Sequence, residues 1–202
     1  MRREDADVTV GGVILAGGES RRMGRNKALL PVDGGTLIEV VVSRLRDVCS
    51  DILLVTNTPE VYRHLGLRMV PDALRGRHAL IGIYTGLLHT AGAAFVCGCD
   101  MPFLSPALIR HMAELADGFD AVVPRNEGRF EPLHAVYTRA CLGPMRRSAE
   151  AHESSTAFLR AVRMRAVEVE EIRRFDPDLR SFVNLNTAED YARALGRMRR
   201  AE

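Results

Sequence analysis

The sequence predicts an α/β fold: a mostly parallel sheet with helices on both faces, three layers in all. Three observations lead there. Short, continuously apolar runs alternate with stretches of helical periodicity along the chain. Those runs lack polar alternation, the pattern of parallel strands covered on both sides. The length, 202 residues, suits one such domain with a real core and leaves no room for a second large one.

Element by element, Val10–Leu15 reads as a buried strand, and residues 36–48 as a helix with Leu37, Val41, Leu45 and Val48 on one face. Residues 52–55 and 67–70 are the next strands, 78–90 the next helix, and 94–99 the strongest later strand. Ser105-Pro106 is an N-cap followed by a first-turn proline, opening a helix that turns Leu108, Met112 and Leu115 inward and closes at Asp117-Gly118. After a strand at 121–124 and a polar turn at 125–129, residues 130–137 form an extended segment able to pair antiparallel. Helices over 139–148 and 156–163 precede a charged strand at 166–170. Thr187 caps a last helix with Glu189 and Asp190 in its first turn and Tyr191, Leu195 and Met198 on one face. We read residues 1–202 as a single domain, with a nucleotide-binding part at about 8–104 and an acceptor-binding part at about 105–198.

Composition narrows the function classes. Lysine plus arginine number 28 against 26 acidic residues, a net charge of +2, and the two signs are interspersed, so bulk nucleic-acid binding is not expected. The basic tail Arg193, Arg197, Arg199 and Arg200 is a solvated helix end. No apolar run approaches the about 20 residues of a membrane span, and no apolar signal region follows Met1-Arg2-Arg3, so the expectation is a cytoplasmic protein that does not enter membranes. Cys97 and Cys99 share one face of a strand as core residues; with Cys49 and Cys141 isolated, no disulfide framework is expected.

Leu15-Ala16-Gly17-Gly18 begins a glycine-rich, basic loop that runs through Arg21, Arg22, Gly24 and Arg25 to Lys27. Its glycines let backbone N–H groups approach a ligand, and its cations favour a polyphosphate. Neither G-x-x-x-x-G-K-[ST] nor G-x-G-x-x-G is present. Ligands of parallel sheets bind at the carboxyl ends of strands. Those are the positions of the 15–17 segment and of Asp100, which should therefore meet across one crevice. A carboxylate at the end of an apolar strand needs a partner, and Mg²⁺, which uses few carboxylates plus substrate phosphates, would supply one at Asp100. Lys27 would place a point charge on the phosphates. His134 is read as a satisfied structural histidine and not a ligand. Asn184 and Asn186, two apart on an extended segment, either hydrogen-bond a ligand or serve the turn ahead of Thr187.

The loop matches L-A-G-G-x-S-x-R-M-G-x-x-K at every fixed position and resembles the signature of the molybdenum cofactor guanylyltransferases. Ala28-Leu29-Leu30-Pro31, Leu37-Ile38-Glu39, Val70-Pro71-Asp72, Cys97-Gly98-Cys99-Asp100-Met101-Pro102-Phe103, Glu131-Pro132-Leu133-His134-Ala135-Val136-Tyr137 and Phe182-Val183-Asn184-Leu185-Asn186-Thr187 extend the likeness over most of the chain. Two positions depart: His78-Ala79 stand where the family often has Gly-Pro, and Ala188 where proline is usual.

The resemblance implies a Rossmann-like nucleotidyltransferase fold that transfers GMP from GTP to the phosphate of molybdopterin with Mg²⁺ as cofactor. Leu15, Ala16, Gly17, Gly18, Lys27 and Asp72 would hold the nucleotide, Asp100 the metal, and Asn184 and Asn186 the acceptor. Lys27, Asp100 and Arg22 would carry catalysis, with Arg22 on the triphosphate or the acceptor. It further implies transient contact with molybdoenzymes or other cofactor-biosynthesis proteins. Because the loop reads phosphates and not the base, a CTP-using or sugar-phosphate-using relative and a non-catalytic nucleotide-binding module are the competing readings. Asn57 lies near the base-reading position after the second strand, in an open register.

Overall fold

The computed structural model describes residues 10–17, 26–32, 35–76, 79–185 and 189–193. Gly18, Arg21, Arg22, Arg25, His78, Asn186, Thr187, Ala188 and the last residues of the basic tail lie outside them.

In chain order the strands and helices are β1 (Val10–Leu15), β2 (Pro31–Val32), β3 (Gly35–Thr36), α1 (Leu37–Arg46), β4 (Cys49–Val55), β5 (Arg68–Val70), α2 (Ala79–Leu88), β6 (Ala94–Gly98), α3 (Pro106–Leu115), β7 (Ala121–Asn126), β8 (Arg129–Phe130), β9 (His134–Tyr137), α4 (Leu142–Glu150), β10 (Met164–Glu168) and α5 (Val169–Ile172). The main sheet runs β10-β7-β9-β6-β1-β4-β5, with β8 added to β7, while β2 and β3 pair apart from it. Neighbours are parallel at β1/β4, β1/β6, β4/β5 and β7/β10. Only β9 runs against its two neighbours in the body of the sheet, as the extended segment after the 125–129 turn anticipates.

Two apolar layers sandwich the sheet. One packs Ile14, Phe95, Cys97 and Val122 against Val41, Leu45, Leu108 and Met112 of α1 and α3. The other packs Val13, Val96, Ala121 and Ala135 against Leu80, Ile83, Leu87 and Met145 of α2 and α4. Residues 13 and 14 thus point to opposite layers, as pleating requires. Each buried Val, Leu, Ile, Phe or Met among them is worth about 1.5–3 kcal/mol, so the central strands carry the fold. Helix α2 presses directly onto β1: a Cβ on Gly86 would lie 2.3 Å from Val13 Cγ1, so only glycine permits that approach.

Local signals hold at the helix starts. Ser105 caps α3 through Leu108 N–H, and Thr36 N–H donates to Glu39 at the start of α1. Three expectations change. The helix expected over 156–163 is a 3₁₀ helix, Ala157–Ala161. The expected 125–129 turn contracts to Glu127-Gly128, both with positive φ, because β7 and β8 pair on either side of it. The strand expected at 166–170 ends at Glu168 and turns into α5, where Glu171 meets His111 of α3 and Arg165, each at 2.7 Å. The contact to His111, sixty residues away in the chain and invisible to periodicity, anchors α5 against α3.

Candidate functional site

Strand order creates the site. From β1 the chain steps through α1 to β4 and β5 on one side, then returns through α2 to β6 on the other. Because the crossovers diverge, the carboxyl ends of β1 and β6 stay uncovered between them. Leu15 lies beside Gly98 in register, and a cleft of about 240 Å³ opens above the pair. Leu15, Ala16 and Gly17 line it from β1, and Gly98, Cys99 and Asp100 from β6. The expected meeting of the first loop with Asp100 is what the fold produces.

The sheet consumes much of the backbone at this edge. Ala16 N–H donates to Val55 O at 2.9 Å, and Leu15 O accepts from Cys99 N–H at 3.2 Å. Leu15 and Ala16 therefore shape the floor, and Gly17 is the first described loop residue beyond the strand ladder. Ala79, the first residue of α2, also borders the cleft, so the positive end of that helix faces it.

Lys27 reaches the cleft on a 3₁₀ turn, Lys27–Leu29, that the Asn26 carboxamide oxygen caps at Ala28 N–H, 3.1 Å. Across the cleft, burial raises the Asp100 pKa above the usual carboxylate range, opposed by a backbone hydrogen bond and by the charge of Lys27. The carboxylate folds back over its own strand end: a Cβ on Gly98 would lie 2.6 Å from Asp100 Oδ1. Gly98 thus leaves room for the acid where it stands, and a side chain there would have to displace the carboxylate. Cys99 is a half-buried thiol pushed up to about 12 by desolvation, so it contributes no thiolate.

A half-desolvated carboxylate with an ammonium in electrostatic reach fits a divalent cation that brings its own waters and phosphate ligands. Among the described residues no cluster of three or more His, Cys, Asp or Glu forms a self-sufficient metal cage. The donor set suits Mg²⁺ held by few carboxylates, and not a structural zinc.

Asp72 stands at the rim. Its carboxylate accepts from Asn57 Nδ2 at 2.7 Å while its own N–H donates to Asn57 Oδ1 at 3.1 Å. The Oδ2 atom would lie 4.0 Å from a Cβ on Gly17. Asn57 is thus the hydrogen-bond partner of Asp72.

Asn184 is exposed and lies beside the cleft without lining it. Leu185 N–H donates to Asp100 O at 3.1 Å, tying the segment to the turn that follows β6. The rest of the wall is pinned through Ser181, whose hydroxyl donates to Phe103 O and accepts from Ser105 N–H, and through Asp176, which accepts from the N–H groups of Arg180 and Ser181. Beneath it His134 is fully buried with neither ring nitrogen partnered, packed on Phe95 and Phe182 at 5.0 and 4.8 Å. Burial drives its pKa down to about 3, so it is a neutral core residue, structural as expected but without the hydrogen bonds of a satisfied histidine. Leu133 brings β9 to the cleft mouth.

Residue-by-residue reading missed Tyr62, which borders the cleft from the 3₁₀ helix Pro59–Leu65. The signals were present: proline at the first turn, buried Tyr62 and Leu65 three apart, and Gly66 at a left-handed cap, φ 63°.

Residues 12–168 match the MobA-like NTP transferase domain. The chain belongs to this family. A probable molybdenum cofactor guanylyltransferase of Pelotomaculum thermopropionicum is 40% identical over 91% of this chain and 90% of its own. A molybdenum cofactor guanylyltransferase of Desulfosudis oleivorans is 39% identical over 92% and 94%. Among solved structures, the molybdopterin-guanine dinucleotide biosynthesis protein A of Archaeoglobus fulgidus superposes with a TM-score of 0.83 at 27% identity, covering 95% of this chain and all of that one. As a MobA-like NTP transferase, the chain has no described helix long and apolar enough to cross a membrane.

Proposed function

We propose that this chain transfers GMP from GTP to the phosphate of molybdopterin, forming the guanine dinucleotide and releasing pyrophosphate. One observation carries the reading: Gly17, Lys27 and Asp100 border a single cleft at the switch point of the sheet. The names of the 40% and 39% identical relatives supply the nucleotide and the acceptor.

An oxygen of the acceptor phosphate attacks the α-phosphorus of GTP. A new P–O bond forms as the bond to the β-phosphate oxygen breaks, and its electron pair leaves with pyrophosphate. The nucleophile is already anionic, so no general base is required, and positioning plus charge neutralisation suffice. The Gly17 turn and the first turn of α2 receive the phosphates, Lys27 stabilises charge on the leaving group, and the Asn57–Asp72 pair borders the nucleotide opposite Gly17. Asp100 would hold Mg²⁺, which supplies Lewis-acid neutralisation of phosphate charge. Leu133 and the wall carrying Asn184 receive the acceptor. A cytoplasmic site of action and transient hand-over to a molybdoenzyme belong to the same proposal.

Pyrophosphate release, measured with Mg²⁺, molybdopterin and each NTP in turn, tests it. Turnover with GTP alone is expected. Turnover with CTP and not GTP overturns it, and nucleotide binding without turnover assigns a binding module instead.

A further inference from the structure

Asn26 and Tyr62 determine one another's hydrogen-bond polarity. Asn26 must present its carboxamide oxygen to Ala28 N–H, because only an acceptor can cap the Lys27–Leu29 turn. Its NH₂ group is then the one facing Tyr62, and it donates to the phenol oxygen at 2.9 Å. A phenol oxygen that accepts from Asn26 must direct its own hydrogen elsewhere. Among the described residues no acceptor receives it. Tyr62 is only 2% exposed, so bulk water is a poor substitute, and it lies beside Lys27 and Cys99 in the lining of the cleft. Burial raises its pKa, which keeps the hydroxyl protonated and a donor at neutral pH.

From this geometry we infer that Tyr62 donates its phenolic hydrogen to a phosphate oxygen of the nucleotide in the Lys27–Asp100 cleft. It is a binding contact that the glycine-rich loop does not contain. The inference rests on the proposed use of the cleft for a nucleoside triphosphate, and Asn26 acts as the switch that keeps the hydrogen available. Aspartate at position 26 would still cap Ala28 N–H but would offer a second acceptor oxygen, so Tyr62 would turn its hydrogen onto Asp and away from the ligand.

The test is a double-mutant cycle read by calorimetric titration of Mg²⁺-GTP and of Mg²⁺-tripolyphosphate. Tyr62→Phe should weaken both ligands about tenfold in the natural background, the scale of one hydrogen bond to a charged group. In an Asn26→Asp background the same Tyr62→Phe change should cost nothing, whatever the added charge does to the baseline, because that charge is common to both arms. Unchanged affinity of Tyr62→Phe in the natural background overturns the inference. An equal loss in both backgrounds also overturns it and reduces the hydroxyl to a packing role. Failure of the unmutated protein to bind any triphosphate overturns the proposed function together with the inference. Binding with an additive, uncoupled cycle overturns the inference alone.

Discussion

The cleft at the heads of β1 and β6 and the wall of residues 180–185 meet at Asp100, yet they are built in opposite ways. The cleft is made from strand ends: its floor belongs to the ladder, its acid is half-buried above Gly98, and Lys27 acts on that acid through space. The wall is irregular chain, held by hydrogen bonds in which the Ser181 hydroxyl accepts from Ser105 N–H and donates to Phe103 O and the Asp176 carboxylate accepts from Ser181 N–H, and stapled to Asp100 through Leu185 N–H. Desolvation gives charged groups in the first region their strength. In the second, docking leaves Asn184 exposed where an incoming molecule can meet it. The difference teaches that, on the proposed function, electrostatics should dominate the cleft and hydrogen-bonded fit the wall.

The sharpest break between the two regions should come from Asp100→Asn. We expect GMP transfer to fall by about 10²–10³, the cost of losing a dominant electrostatic contact, while the fold persists. The same variant should melt higher than the parent at neutral pH. Asp100 has a folded pKa above its ordinary 3.8, so its stabilising contribution is present below pH 3.8 and is lost as pH rises through the raised value. Thermal melts across pH check the second statement; near-normal transfer would remove Asp100 from the site.

Next in size is Gly98→Ala, which adds a methyl 2.6 Å from Asp100 Oδ1. Displacing the carboxylate should lower turnover about tenfold, with little change in stability because the crowded atom is the end of a movable side chain. An Mg²⁺ titration that superposes on that of the parent would show that the carboxylate position is not critical.

On the wall, Asn184→Ala should raise KM for the acceptor about fivefold, the scale of one neutral hydrogen bond, and leave Mg²⁺-GTP affinity unchanged. A change confined to GTP binding would erase the division between the regions.

The smallest effect on activity should be His134→Leu, made under the wall rather than in it. His134 has a folded pKa of about 3 against 6.5, so it favours folding above pH 6.5, and that contribution is lost as pH falls toward 3. Chemical denaturation should show stability dropping by about 1.4 kcal/mol per pH unit through this window in the parent, over and above a flatter profile in the variant. Parallel profiles would mean that the imidazole finds a partner.

The local patterns were legible because they obey short-range rules. Apolar runs located Val10–Leu15 and β6, Ser105-Pro106 started α3, and the placement of Gly17 and Asp100 at strand ends put them in one crevice before any coordinates. Other features escaped. The shape of the chain over 59–66 follows turn signals that an apolar-periodicity reading passes over. The helix that follows β10 is anchored by a hydrogen bond between residues 111 and 171, and the partner of Asp72 sits fifteen residues upstream.

By itself, then, the order of residues determined the alternation of strands and helices, the family resemblance and the two carboxyl-terminal segments that meet, since period and strand polarity are properties of neighbours. Tertiary structure alone decided that Asp100 lies over Gly98, that Asn57 answers Asp72, that residue 185 is stapled to residue 100, and that Tyr62 joins Lys27 in the cleft. Those facts are distances between residues far apart in the chain, and burial and hydrogen-bond polarity exist only once the sheet has brought them together.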